Sequence, residues 1–138
     1  MGTSAKPTNA IMKLAVLVDD DSMDNFLHQR VLQKSGLVEQ VVVFDHVEEA
    51  LEFVSAESNQ IDLIFVDINM PRMDGYAFLD AFQLRKPPSE STPLIVLLST
   101  SISADDIQRT KQYNIDIRTE QKPLSTASLK RICDNRGV

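Results

Sequence analysis

Five positions in this 138-residue chain lie at or just past the ends of candidate strands and carry groups that could act together: Asp19, Asp20, Asp67, Ser99 and Lys122. Three carboxylates gathered in one crevice repel one another and raise their pKa values unless a cation joins them. A hard, oxygen-seeking divalent ion suits such a set, Mg²⁺ above all, because it keeps waters and needs only one or two protein carboxylates. A carboxylate, a hydroxyl and a lysine beside Mg²⁺ suit phosphoryl transfer, where catalysis is mostly positioning and charge neutralisation. Taken alone, Asp67 reads equally well as the polar end of a strand. The elements that carry these residues must decide.

Residues 63–66 are four apolar, partly β-branched side chains without alternation, the pattern of a central strand buried on both faces, with Asp67 at its carboxyl end. Pro71 forbids continuing that strand, and Asp74-Gly75 offers a turn and a helix N-cap before an amphipathic run over 76–84. Upstream, 13–18 reads as a first strand ending in Asp19-Asp20-Asp21. A helix follows over 25–35, with Phe26, Leu27, Arg30, Val31 and Lys34 at helical spacing and Gly36 to stop it. Residues 41–44 form a second strand. Asp45 with Glu48 makes a capping-box pattern for a helix whose stripe is Val47, Ala50, Leu51 and Val54. After a Pro- and Ser-rich loop over 86–93, a fourth strand at 94–98 runs into Ser99-Thr100-Ser101. A polar helix over 103–113 with Asn114 at its end, a weaker fifth strand at 115–119, Lys122-Pro123 and a last helix over 125–133 complete the chain.

Five strand–helix units predict an α/β fold, a doubly wound five-stranded parallel sheet with helices on both faces. In such a sheet the strands' carboxyl ends share one edge. With strand order 2-1-3-4-5, the first and third strands meet at the switch point and the five polar residues fall into one crevice.

Composition narrows the alternatives. Fourteen basic against 20 acidic residues give a net charge of −6, which argues against a nucleic-acid partner. Cys133 is the only cysteine, which excludes internal disulfides and cysteine-based metal clusters and reads as a small apolar residue. No apolar run is long enough for a membrane span or a signal peptide, so membrane insertion is not expected and the localisation read is cytoplasmic. Residues 1–10 are expected to be a flexible N-terminal tail and 11–138 a single domain. Gly2, Gly36, Gly75 and Gly137 are not clustered, so there is no Gly-rich phosphate loop. His28 and His46 read as ordinary helix-surface residues, and Asp21 as solvated surface.

These residues, in this order, resemble the receiver domain of two-component response regulators, of the single-domain, chemotaxis-regulator-like kind, over 14–132. The resemblance rests on Val18-Asp19-Asp20, on Asp67 with Asn69-Met70-Pro71 and Met73-Asp74-Gly75, on Ser99, and on Lys122-Pro123. It implies a flavodoxin-like fold with five helices and a phosphorelay function in which Asp67 accepts a phosphoryl group from a phosphohistidine. It implies Mg²⁺ held by the side chains of Asp20 and Asp67 and the backbone carbonyl of Asn69, with Asp19 acting through water. Lys122 would pair with the phosphoryl oxygens, Ser99 would donate its hydroxyl to them, and the Lys122-Pro123 bond would be cis. Asn69 and Ser101 would flank the path of attacking water. The protein would be a self-phosphorylating signalling protein with slow autodephosphorylation rather than an enzyme in the ordinary sense. Its partners would be a sensor histidine kinase or a histidine phosphotransfer protein and an unknown downstream protein, and its state a monomer or weak dimer. No output domain is evident, so the signal would pass by protein contact or return to a phosphotransfer protein.

Two positions depart from the family pattern: the hydroxyl of the fourth strand is Ser99, an ordinary alternative to threonine, and Thr119 stands three residues before the lysine, where receivers commonly carry Tyr or Phe. The usual aromatic relay is therefore expected to be missing and the switch reduced or rerouted around 99–106. Three rival readings conflict with the sequence. A haloacid-dehalogenase-type phosphatase could use Asp19-Asp20-Asp21, but the chain is short for that fold and lacks a late acidic pair. A histidine phosphotransfer bundle built on His28 conflicts with four apolar strands. A receiver that has lost phosphorylation conflicts with the intact acids, hydroxyl and lysine.

Overall fold

The computed structural model describes residues 12–136 except 57, 88 and 90, so the tail expected over 1–10 lies outside the described residues. Five strands, β1 (Met12–Val18), β2 (Val38–Phe44), β3 (Leu63–Asp67), β4 (Leu94–Ser99) and β5 (Ile117–Gln121), form one sheet in the order β2-β1-β3-β4-β5. Every pairing is parallel. The helices are α1 (Ser22–Ser35), α2 (Val47–Ser55), α3 (Gly75–Arg85), α4 (Ala104–Thr110) and α5 (Thr126–Arg136). This is the flavodoxin-like arrangement expected from the sequence.

The pleat explains why the central strands lack alternation. Val16, Val18, Ile64, Val66, Ile95 and Leu97 pack on one side with Ala50, Leu51, Phe78 and Leu79 of α2 and α3. Ala15, Leu17, Leu63, Phe65, Val96 and Leu98 pack on the other with Leu32 of α1 and Leu129 and Ile132 of α5. Successive side chains point to opposite faces and each face has its own helical cover, so every position must be apolar. Each fully buried side chain of this size contributes about 1.5–3 kcal/mol. Cys133 is half-buried against the second of these layers, in keeping with its apolar reading. Helix α4 has no buried residue and depends on polar contacts for its place.

Local polar chemistry moves several boundaries from the expected ones. Helix α1 starts at Ser22 rather than 25 because Asp21 is its N-cap, accepting from the backbone N–H of Met23 at 2.9 Å and Asp24 at 3.2 Å. Asp21 is exposed, as expected, but structural. Gly36 closes the helix at φ 73°, a left-handed position that suits glycine. The Asp45/Glu48 capping box does not form. His46 takes the N-cap position without a side-chain bond, and Glu48 instead pairs with Arg72 at 2.9 Å. A capping box appears at α4, where Ser103 and Asp106 bond reciprocally at 2.9 and 3.0 Å. That helix ends at Thr110, leaving Tyr113 and Asn114 beyond it.

Strand β5 is 117–121, not 115–119. Ile117 pairs with Ile95 and the Ile95 N–H bonds the Asp116 carbonyl at 3.1 Å, so the ladder is fixed by β4. An edge strand that is only half-buried gives apolar spacing little say in its register. The shift carries Lys122 to the strand's end, and the Lys122-Pro123 bond is cis as the resemblance implies.

Candidate functional site

The register sets the site. Val18 pairs with Val66, Asp67 with Leu98 and Ser99 with Gln121, which brings the carboxyl ends of β1, β3, β4 and β5 level. Asp19, Asp67, Ser99 and Lys122 then meet where the sequence put them. The carboxylates of Asp19, Asp20 and Asp67 each offer an oxygen within 4.8 Å of the others. Asp19 and Asp67 are 4% and 5% exposed, whereas Asp20 is open to solvent.

Backbone geometry holds the acceptor strand in place. The Ile68 N–H donates to the Leu98 carbonyl at 2.8 Å, and the Gly75 N–H returns to the Ile68 carbonyl at 3.0 Å. A Cβ on Gly75 would lie 3.0 Å from the Asp67 carbonyl oxygen and 3.1 Å from the Ile68 Cα, so the loop after β3 can fold back this closely only with glycine there. Asp74 caps α3 by accepting from the Ala77 N–H at 2.8 Å. Ser99 sits in a small polar ring: Asn69 Nδ2 donates to its Oγ at 3.2 Å, and its hydroxyl donates to the Ser101 carbonyl at 3.0 Å. The Ser101 N–H donates back to that Oγ at 3.1 Å.

Lys122 is the single cation among these groups, and its side chain is only 10% exposed. Its Nζ donates to Asp24 Oδ2 at 2.7 Å and to Asp19 Oδ2 at 2.9 Å, and lies 3.3 Å from Asp67 Oδ1. Burial pushes the Asp19 carboxyl above the ordinary carboxylate range, and the hydrogen bond from Lys122 only partly offsets it. Asp67 is raised by burial first and by the Asp19 charge second, against the pull of Lys122. Burial would lower Lys122, but its bonds to Asp19 and Asp24 and the charges of Asp19 and Asp67 outweigh that and raise it. Crowded carboxylates of this kind, one of them solvent-facing, fit a hard divalent cation bound through oxygen.

Three neighbours were not legible as site residues. Asp24 holds Lys122. Asn25 is 3% exposed and donates its Nδ2 to the carbonyls of Asp19 at 2.8 Å and Phe44 at 3.2 Å, bolting α1 to the sheet edge. His28 is 2% exposed rather than a surface residue, and its Nδ1 has no hydrogen-bond partner. Burial lowers its pKa first, and the Lys122 charge adds to that. With Asp21 as the N-cap of α1, residues 24, 25 and 28 share one face of its first two turns, and packing against the sheet edge turns that face inward. His46 is exposed as expected, though at the α2 N-cap.

Beyond the site, Thr119 lines a shallow groove of about 370 Å³ with Ile107, Ile117 and Ile132. Tyr76, 3% exposed on α3, donates its hydroxyl to Asp106 of α4 at 2.7 Å, and the Arg109 guanidinium stacks 3.9 Å from its ring centroid. Tyr113 donates to Asp80 at 2.9 Å. Among the described residues, no helix is long and apolar enough to cross a membrane.

A sequence model described as the response regulator receiver domain matches residues 15–133. The chain is 32% identical over 125 residues to a gliding motility regulatory protein of Myxococcus xanthus, covering 91% of this chain and 15% of that protein. It spans a quarter or less of each of eight curated relatives. Among solved structures it superposes on a two-component response regulator from Cytophaga hutchinsonii with a TM-score of 0.79 and 25% identity, covering 91% of this chain and 96% of that one. It shares the fold of the receiver domain of the sensor histidine kinase PA1611 from Pseudomonas aeruginosa PAO1 at a TM-score of 0.71 and 20% identity, covering 91% and 97%. That domain was crystallised with magnesium coordinated in its active-site cleft.

Proposed function

This chain belongs to the response regulator receiver family, and from that premise we propose that Asp67 is its phosphoacceptor in a two-component phosphorelay. The observation that carries the reading is the meeting of a buried Asp67 with Lys122 at 3.3 Å and with the Asp19 and Asp20 oxygens within 4.8 Å. A carboxylate oxygen of Asp67 attacks the phosphorus of a phosphohistidine in line. The O–P bond forms, the P–N bond breaks, and the imidazole leaves with its electron pair and takes a proton, giving an acyl phosphate.

Asp19, Asp20, Asp67 and the Asn69 backbone are the groups that would hold Mg²⁺, which supplies neutralisation of the phosphoryl charge when bound. The magnesium in the Pseudomonas aeruginosa receiver domain supports that choice of ion. Lys122 supplies the fixed positive charge for the phosphoryl oxygens. Ser99 exchanges its bond to the Ser101 carbonyl for one to the phosphoryl group.

The donor would be a sensor histidine kinase or a histidine phosphotransfer protein, acting in the cytoplasm. Met23, Phe26 and Leu27 of α1 support docking beside the cleft, being 62%, 52% and 47% exposed at helical spacing. Incubation with acetyl phosphate and intact-mass measurement tests the reading. One phosphoryl group should appear with Mg²⁺ and none after chelation. Equal labelling in both arms contradicts the assigned metal site.

A further inference from the structure

Lys122 is pulled in two directions. Asp19 and Asp67 belong to strand ends, but the shortest contact of the ammonium, 2.7 Å, is to Asp24 in the first turn of α1. We propose that Asp24 is a positioning residue that holds the Lys122 ammonium on the α1 side of the cleft and so limits its hold on a phosphoryl group at Asp67. The proposal rests on the phosphoacceptor reading of Asp67 and deepens it.

The placement of Asp24 is built in. Asp21 fixes the first turn by accepting from the Met23 and Asp24 N–H groups, and Asn25 ties the same turn to the carbonyls of Asp19 and Phe44. Asp24 therefore cannot follow Lys122 far across the cleft. An ammonium has three donors, and two are committed to Asp24 and Asp19, at 2.7 and 2.9 Å. Asp67, the third neighbour, is the most distant, at 3.3 Å. A phosphoryl group adds roughly 1.5 to 2 negative charges and three acceptor oxygens. It competes with Asp24 for the same ammonium.

Removing the Asp24 charge should then have effects of opposite sign. A divalent cation at Asp19, Asp20 and Asp67 loses a nearby negative charge, while Lys122 turns more fully onto Asp67, so cation binding weakens. A phosphoryl mimic gains a less encumbered lysine, so its binding tightens. A partly exposed ion pair of this kind is worth roughly fivefold in an equilibrium constant. Loss of packing or of helix stability would weaken both ligands together.

The test uses the full chain as wild type, Asp24→Asn, Asp24→Ala and Asp24→Glu, with thermal unfolding to confirm the fold. Mg²⁺ is titrated alone, and beryllofluoride is titrated at saturating Mg²⁺. We expect both neutral variants to bind Mg²⁺ about fivefold more weakly and beryllofluoride about fivefold more tightly, with Asp24→Glu near wild type. Should one neutral variant not fold, the other carries the comparison. Should neither fold, the Asp24 carboxyl carbon resonance of the wild type decides: a shift with beryllofluoride beyond that seen with Mg²⁺ alone supports release of Lys122 from Asp24, and an unchanged one overturns it. Shifts of the same sign for both ligands, or none, overturn the proposal while leaving Asp67 as acceptor. Absence of beryllofluoride binding to the wild type instead strikes the phosphoacceptor reading itself.

Discussion

The Tyr76 hydroxyl donates to the Asp106 carboxylate at 2.7 Å and thereby ties the start of α3 to α4. Burial raises the phenol's pKa first and the bond to Asp106 raises it further, so the donor stays protonated at neutral pH. Asp106 also closes the Ser103 capping box, four residues beyond Ser99. A movement of Ser99 towards a phosphoryl group would have a route to Tyr76 through Ser103 and Asp106 at the start of α4, one that does not need an aromatic ring at Thr119. Tyr76→Phe should cost about 1 kcal/mol in urea unfolding. In amide NMR with beryllofluoride and Mg²⁺, wild-type shifts should centre on 99–106 and be weak along β5. Tyr76→Phe should confine them to 99–103. Large cooperative shifts along β5 and α5 would show that the relay runs there instead.

Gly75→Ala should harm the site as well as the fold. Its Cβ meets the backbone of the consecutive residues Asp67 and Ile68, at 3.0 and 3.1 Å, and neither contact is a flexible side chain. A loss of about 1–3 kcal/mol is expected, with Mg²⁺ affinity falling because the Asp67 carbonyl and the Ile68 backbone must shift. Unfolding and Mg²⁺ titration of the same variant check both.

The alternation of strands and helices and the placing of Asp19, Asp20, Asp67 and Ser99 at strand ends were legible because burial on both faces leaves unbroken apolar runs that end in polar residues. The sheet order came with the doubly wound pattern that the receiver resemblance implies, and Lys122 with the Lys-Pro break after a weaker strand. What escaped reading was set by polar contacts across the chain. Asp24 and Asn25 become site neighbours only once Asp21 is known to cap α1 and the carbonyls of Asp19 and Phe44 are within reach. His28 lies in a run with low amphipathic contrast, so its inward orientation follows from packing, not from spacing. The position of β5 is dictated by its ladder with β4, to which the polar sequence of 117–121 adds little.

Buried His28 gives a pH dependence with a defined sign. Its folded pKa lies below the ordinary 6.5, so between the two values the unfolded chain binds the proton first. Stability should be unaffected by this residue above pH 6.5 and should fall as pH drops from 6.5 through the lowered value. His28→Gln should show a shallower acid loss than wild type in denaturant titrations between pH 7 and 5. Parallel profiles would mean that His28 does not titrate in this window.

Ser101 tests the lifetime of the phosphoryl group. It is exposed, and its backbone, not its side chain, holds Ser99. Ser101→Glu or Ser101→Lys should therefore change the rate of phosphoryl hydrolysis far more than the rate of formation. Equal changes in both rates, followed by intact mass over time, would assign the position another role.

The most direct measurement is the intact mass of wild type and Asp67→Asn after incubation with acetyl phosphate and Mg²⁺. The wild type should gain a single phosphoryl group and Asp67→Asn none, with both proteins folded. Undiminished labelling of Asp67→Asn would contradict Asp67 as the acceptor.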